Sequence, residues 1–155
     1  MKQAELLVLT LAGLQMLAMA VDEFHFHHRR GLPRWERIGH PVDTLSTLVP
    51  VGIASLLTPA QENIFWYAGL AATSSIIITK DEFIHARLCS PAEHWLHAFQ
   101  FVIHPVVLAA IAILWITQPS DITLIRWVAQ FISIFLVYQI IYWNFRWPTK
   151  VAPRA

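Results

Sequence analysis

Two short stretches of this chain carry residues that bind metals or move protons. The first reads Asp22-Glu23-Phe24-His25, then His27 and His28, then Pro33, Glu36 and His40. The second reads Asp81-Glu82-Phe83, then His85, Pro91, Glu93, His94 and His97. All eight histidines lie in or just after these stretches, His104 being the last. Most of the acidic residues lie there too, in a chain that is 56% apolar. Mixed imidazole and carboxylate ligation suits iron, manganese or zinc, and the absence of clustered Cys or Met disfavours copper(I). More than four candidate ligands point to two metal ions, or to one ion with a supporting shell.

Spacing sharpens the chemistry. Glu36 and His40 are four apart, as are Glu93 and His97, and residues four apart are neighbours on a helix. Asp43 and Gln100 follow three residues later, so Glu36, His40 and Asp43 share one helical face, as do Glu93, His97, Gln100 and His104. If the preceding helices run past the membrane surface, Glu23 shares a face with His27, and Glu82 with His85. Four helices then each supply a carboxylate and an imidazole, which is how di-iron sites in helical bundles are built. The expected metal set is Glu23, His27, Glu36, His40, Glu82, His85, Glu93 and His97. Asp22, His25, His28, Asp43, Asp81, His94 and His104 are expected as additional ligands or supporting groups. Which acid of each Asp-Glu pair binds stays open.

Each feature also has a structural reading. Ser90-Pro91-Ala92-Glu93 is a capping box with Pro at the first helical position, so Glu93 could serve only as a cap. His40-Pro41 and His104-Pro105 put a His beside a helix kink, where it could bond a freed carbonyl. Asp22, Glu23, Asp81 and Glu82 could be solvated charges paired with Arg29, Arg30, Lys80 or Arg87. His97, His104 and Asp43 resist this reading most, because ionisable groups at membrane depth are expensive and functional. The single cysteine, Cys89, excludes an intramolecular disulfide and reads as incidental.

Five apolar runs must position these residues: 4–21, 42–58, 64–79, 95–117 and 122–145. About 20 apolar residues cross a bilayer as a helix. The expected fold is an all-α polytopic membrane bundle of about five transmembrane helices in one domain, 1–155. Residues 4–58 and 64–117 form two repeated helical hairpins, and 122–145 a fifth helix. No signal peptide is expected. The formal charge of +1 excludes a nucleic-acid binder, which carries a basic face. Arg29, Arg30, Arg34, Arg37, Lys80, Arg87, Arg146, Lys150 and Arg154 fall on one side of a five-span arrangement, and only Lys2 and Arg126 on the other. The positive-inside rule then sets the N-terminus outside and the C-terminus in the cytoplasm, in keeping with a bacterial inner membrane.

His25-Phe26-His27-His28 and His94-Trp95-Leu96-His97 resemble fragments of the boxes of histidine-rich membrane di-iron hydroxylases and desaturases of the fatty-acid-hydroxylase type. The H-x3-H and H-x2-H-H boxes of that family are absent as such, and acids replace some of its histidines. The resemblance implies a cytoplasm-facing pair of iron ions and oxidation of a lipid. DEFHFHHRRGLPRWERIGHP and KDEFIHARLCSPAEHWLH also resemble a family of small bacterial membrane proteins, with no activity implied.

The leading expectation is a lipid-directed oxidoreductase. Its membrane lipid or other apolar substrate would enter from the inner leaflet, and an electron-donor protein would supply reductant. Arg29, Arg30, Arg34 and Arg37 could hold a phosphate headgroup. Three alternatives stand beside it. One is a b-type haem electron carrier with axial ligands from His40, His97 and His104. Another is a membrane zinc hydrolase. The third is a metal transporter, which needs a polar path that the outer halves of the spans scarcely offer.

Overall fold

A long apolar run has no partner in lipid for its backbone polar groups, and a helix satisfies nearly all of them within one segment. The computed structural model describes residues 2–80 and 82–146, apart from the side chains of Phe83 and Ile84. Those residues form helices, with no strand among them. Helix α1 spans Gln3–Arg30, α2 Arg34–Leu56, α3 Gln61–Ile77, α4 Glu82–Leu88, α5 Pro91–Thr117 and α6 Thr123–Arg146.

Three of these, α1, α5 and α6, are long and apolar enough to cross a membrane. α2 has the length, but it carries His40, Asp43, Ser46 and Thr47 between its second turn and its middle. α3 has 17 residues, about 26 Å at 1.5 Å per residue, against a hydrocarbon core of about 30 Å.

The two polar stretches fold differently. α1 continues as helix through the first, as far as Arg30. α3 stops at Ile77, and a turn closed by Lys80 N–H to Ile77 C=O leads to the separate short helix α4. The β-branched run Ile76-Ile77-Ile78-Thr79 lowers helix propensity where α3 ends, and α1 has no such run at the matching place.

α1 packs along α5, α2 packs along α6, and α3 lies against α2 and α5. The core between them includes Val8, Ala12, Val51, Tyr67, Val107, Ile111, Leu114, Trp115 and Ile125. At the end remote from the histidines, Trp115 Nε1 donates to Leu57 C=O at 2.9 Å and Arg126 Nε to Ser55 C=O at 3.3 Å. Ser55 lies in the last turn of α2 and Leu57 caps it, where the final C=O groups have no partner within the helix. Proline shapes the other end. Pro41 lies inside α2 and cannot donate to the Arg37 carbonyl one turn back. Asn144 Nδ2 of α6 reaches that carbonyl at 3.5 Å.

Tyr67 is the clearest polar tie inside the core. Its ring is buried on α3, and its hydroxyl donates to Leu108 C=O of α5 at 2.6 Å. Tyr67→Phe should therefore destabilise the bundle by about 1 kcal/mol, the usual net worth of such a bond. Thermal unfolding in detergent measures this, and an unchanged midpoint would mean the bond adds nothing net.

Candidate metal centre

The last turns of α1 widen locally: residues Asp22–His27 adopt π-helical, i→i+5 bonding. Such bonding adds about one residue to a turn, so Asp22, Glu23 and His27 come onto a narrower arc than α-helical spacing allows. All three are buried, at 6%, 2% and 2% exposure, while Phe24 and His25 face outward. Gly31 then ends the helix with φ 74° and ψ 161°, a conformation essentially reserved for glycine. It reverses the chain into Pro33 and α2.

Four imidazoles from four helices meet at this end of the bundle. His27 of α1 lies 4.7 Å, ring centre to ring centre, from His40 of α2. His40 lies 6.4 Å from His85 of α4, and His85 lies 4.3 Å from His97 of α5. His97 closes the ring at 6.3 Å from His27. Asp22 sits inside it, with His97 Nε2 at 3.0 Å from both carboxylate oxygens and His27 Nε2 at 3.4 Å from one. Gln100 adds a bond to the same carboxylate at 3.4 Å.

The other acids stand around the ring. Glu23 accepts Trp143 Nε1 at 2.6 Å and faces His27 Nδ1 at 3.4 Å. Glu36 lies 3.9 Å from His40 Nε2 and is bonded through both oxygens by Arg30, at 3.1 and 2.7 Å. Arg30 also bonds Glu93, at 3.1 and 3.2 Å. Glu93 completes its capping box with Ser90 as well, so it acts as a cap and as a member of the cluster. Arg30, one of the arginines expected at a headgroup, is turned into the bundle because these two buried carboxylates need a cation.

Other expected residues lie further out. His94 pairs with Glu82 in a half-exposed contact. His25 is exposed beside Arg29, 3.1 Å from its guanidinium. His28 bonds the Tyr138 hydroxyl at 3.0 Å and stacks on Tyr142. Asp43 is ion-paired with Lys80 at 2.7 Å. His104 is buried deeper, between Gln15 at 3.0 Å and Ser74 at 3.0 Å. Arg34 is exposed, whereas Arg37 is half-buried. Asp81 lies outside the described residues.

Several contributors escaped the pattern of acids and histidines. Trp143 is fully buried and anchors Glu23 from a second π-helical segment, Tyr142–Arg146. Gln139 accepts the Thr44 hydroxyl at 2.7 Å, and Gln15 and Ser74 hold His104. The available signal was a polar residue inside an apolar span, as with Gln15, Ser74 and Gln139. Trp143 gave none, because it reads as an interfacial anchor.

Would these residues accept a cation? Asp22, Glu23, Glu36 and Glu93 are each at most 6% exposed. Among the described residues, Arg30 is the one arginine bonded to any of them, so these four acids and Arg30 carry a formal net charge of about −3 with neutral imidazoles. Protons on the imidazoles or a bound cation must offset it. His27 Nε2, His40 Nε2 and His97 Nδ1 are buried without a hydrogen bond. Donor atoms of Asp22, His27, Glu93 and His97 all lie within 4.8 Å of one another, as do those of His27, Glu36 and His40. A third group joins Cys89 to His85 and His97. Burial, and then the nearby Glu93, push the Cys89 thiol well above its ordinary range, and a protonated thiol is a poor ligand. A cavity of about 90 Å³ opens onto the ring: Asp22, His27, His40, His85 and His97 line one part of it, and Thr44, His104 and Phe135 another. The donor set and the space both fit metal ions.

Glu23 touches His27 through Nδ1, the arrangement by which a carboxylate orients a ligating imidazole. Removing such a partner typically costs 10–100-fold in metal affinity, about the range expected for Glu23→Gln. His97→Ala should lower affinity further, and His94→Ala should leave it near wild type. Competition against a chelator reads all three. Equal losses for His94→Ala and His97→Ala would remove the special standing of the ring.

No protein-family model, curated protein or solved structure matches this chain, so what these residues do must be argued from their own arrangement.

Proposed function

We propose that this chain is a membrane metalloprotein in which His27, His40, His85, His97 and Asp22 hold one or two iron ions. We read it as an oxidoreductase acting on a membrane lipid or another apolar substrate. The ring carries this reading: four imidazoles from four helices enclose a carboxylate in a buried, charge-deficient pocket. Nitrogen and oxygen donors in this mixture favour iron, manganese or zinc over softer-ligand metals. A cavity of about 90 Å³ is small for a macrocycle, which supports ions over haem. The resemblance to membrane di-iron hydroxylases agrees with iron.

Bound iron would supply one-electron chemistry and dioxygen activation. The chain's own groups would keep the site in order. Glu23, fixed by Trp143, holds His27 so that Nε2 faces inward. Asp22 holds His97 through Nε2 and leaves Nδ1 for the cavity. Arg30 keeps Glu36 and Glu93 paired and ionised at the rim. Reductant comes from an electron-donor protein on the cytoplasmic face. A lipid reaches the site from the side, because apolar side chains such as Leu17, Phe24, Trp95 and Val102 cover the outside of the bundle. Arg29 and Arg34, both exposed in the stretch between His27 and His40, are suited to a phosphate headgroup.

The membrane arrangement we favour has five spans, with α2 and α3 crossing between α1 and α5, the N-terminus outside and the C-terminus cytoplasmic. The α2–α3 connection at Thr58 decides it. A cysteine placed there in a Cys89→Ser background should react with an impermeant reagent from outside. Labelling only after cell lysis would leave α2 and α3 as a hairpin on the inner side, with three spans.

Elemental analysis with an optical spectrum is the test of the metal reading. Protein purified from metal-replete cells without chelator should hold one to two iron ions per chain. Zinc alone would move the reading to a hydrolase, and a metal-free protein would end it. Lipid mass spectrometry should then reveal a hydroxylated or desaturated species that disappears with His40→Ala/His97→Ala.

A further inference from the structure

Beneath the ring lies a second cavity, of about 60 Å³, between α1, α2, α5 and α6. Its floor is apolar, with Val51, Val107, Ile111 and Val128 among its walls. It meets the metal cavity at a collar of Gln15, Met19, Thr44, Thr47, His104 and Phe135, which line both.

The polar members of the collar are turned to partners rather than to the lower cavity. Gln15 Nε2 bonds His104 Nδ1, and His104 Nε2 bonds Ser74. Thr44 donates to Gln139, and Thr47 to the Asp43 carbonyl at 3.0 Å. Water in a cavity needs two to four polar partners, and an apolar cavity of about 150 Å³ stays dry and takes up benzene or xenon. This one offers no comparable partners and well under half that space. An acyl chain does not fit, but a diatomic molecule does.

We infer that the lower cavity is a binding site for a small apolar gas of dioxygen's class, held one collar away from the ring. Its use as a supply to the metal rests on the proposed metal centre, whereas the site itself does not. The placement suits a membrane protein, since apolar gases dissolve in hydrocarbon and the cavity lies among apolar helices. It also separates two roles: the gas waits inside the bundle, while a lipid approaches from outside.

Xenon is the probe, because it reports an apolar site without any metal. Crystals of the full chain pressurised with xenon should show one atom among Val51, Val107, Ile111 and Val128. Val128→Phe should abolish that density, and Val51→Leu, a gentler change, should reduce it. In iron-loaded protein, Val128→Phe should also slow nitric oxide association several-fold with iron content unchanged. Absence of xenon from wild-type crystals would overturn the site, as would equal xenon in Val128→Phe. An unchanged nitric oxide rate would overturn the supply role. Xenon bound in a protein that retains no metal would count against the metal centre and leave the gas site standing.

Discussion

The end of the bundle that holds the histidines depends on one difficulty: carboxylates taken out of water need compensation. Asp22, Glu23, Glu36 and Glu93 are all buried, and Arg30 meets only Glu36 and Glu93. Charges so placed add little net stability, because desolvation offsets most of the attraction, yet removing one partner costs about 3–5 kcal/mol. What the clamp gives is placement. It joins the end of α1 to the first turns of α2 and α5, and His40 and His97 follow Glu36 and Glu93 one turn later. Arg30 reaches both acids only because α1 stays helical past the apolar run and Gly31 turns the chain sharply afterwards.

Spacing made much of this visible in advance, but unevenly. The i, i+4 pairs Glu36/His40 and Glu93/His97 are on regular helix, so their shared faces follow from periodicity. His27 and His85 join them because the helices before each turn carry them to the same end. The choice between Asp22 and Glu23 could not be read, since it hangs on the π-helical turn, which obeys no residue-type rule. There Asp22 faces His97 and Glu23 faces Trp143. Arg30 was equally opaque: basic residues beside a span read as interfacial, and only the tertiary position of two acids draws this one inward. The long apolar helices α1, α5 and α6 were plain from composition. α2 is less apolar because one side of its first half lines the polar cavity.

The two Asp-Glu-Phe copies share wording without sharing shape. The first is part of a 28-residue helix. Of the second, Glu82 and Phe83 belong to a seven-residue helix, α4, that follows the β-branched run ending α3. His85 therefore arrives on a short element held at both ends by turns, while His27 is fixed along a continuous rod and braced by Glu23 and Trp143. One side of the ring rests on a long helix with a buried brace, and the opposite side on a short segment.

The contact between Trp143 and Glu23 joins residues 120 positions apart, and that separation bears on how the protein is made. A ribosome releases α1 well before α6. Until α6 has joined the bundle, Glu23 lacks the indole that fixes it, and His27 lacks a fixed carboxylate. The ring itself cannot close before α4 and α5 have followed α2. The finished cluster is thus a late product of synthesis, and a chain truncated before residue 143 displays its histidines without the brace that orders them.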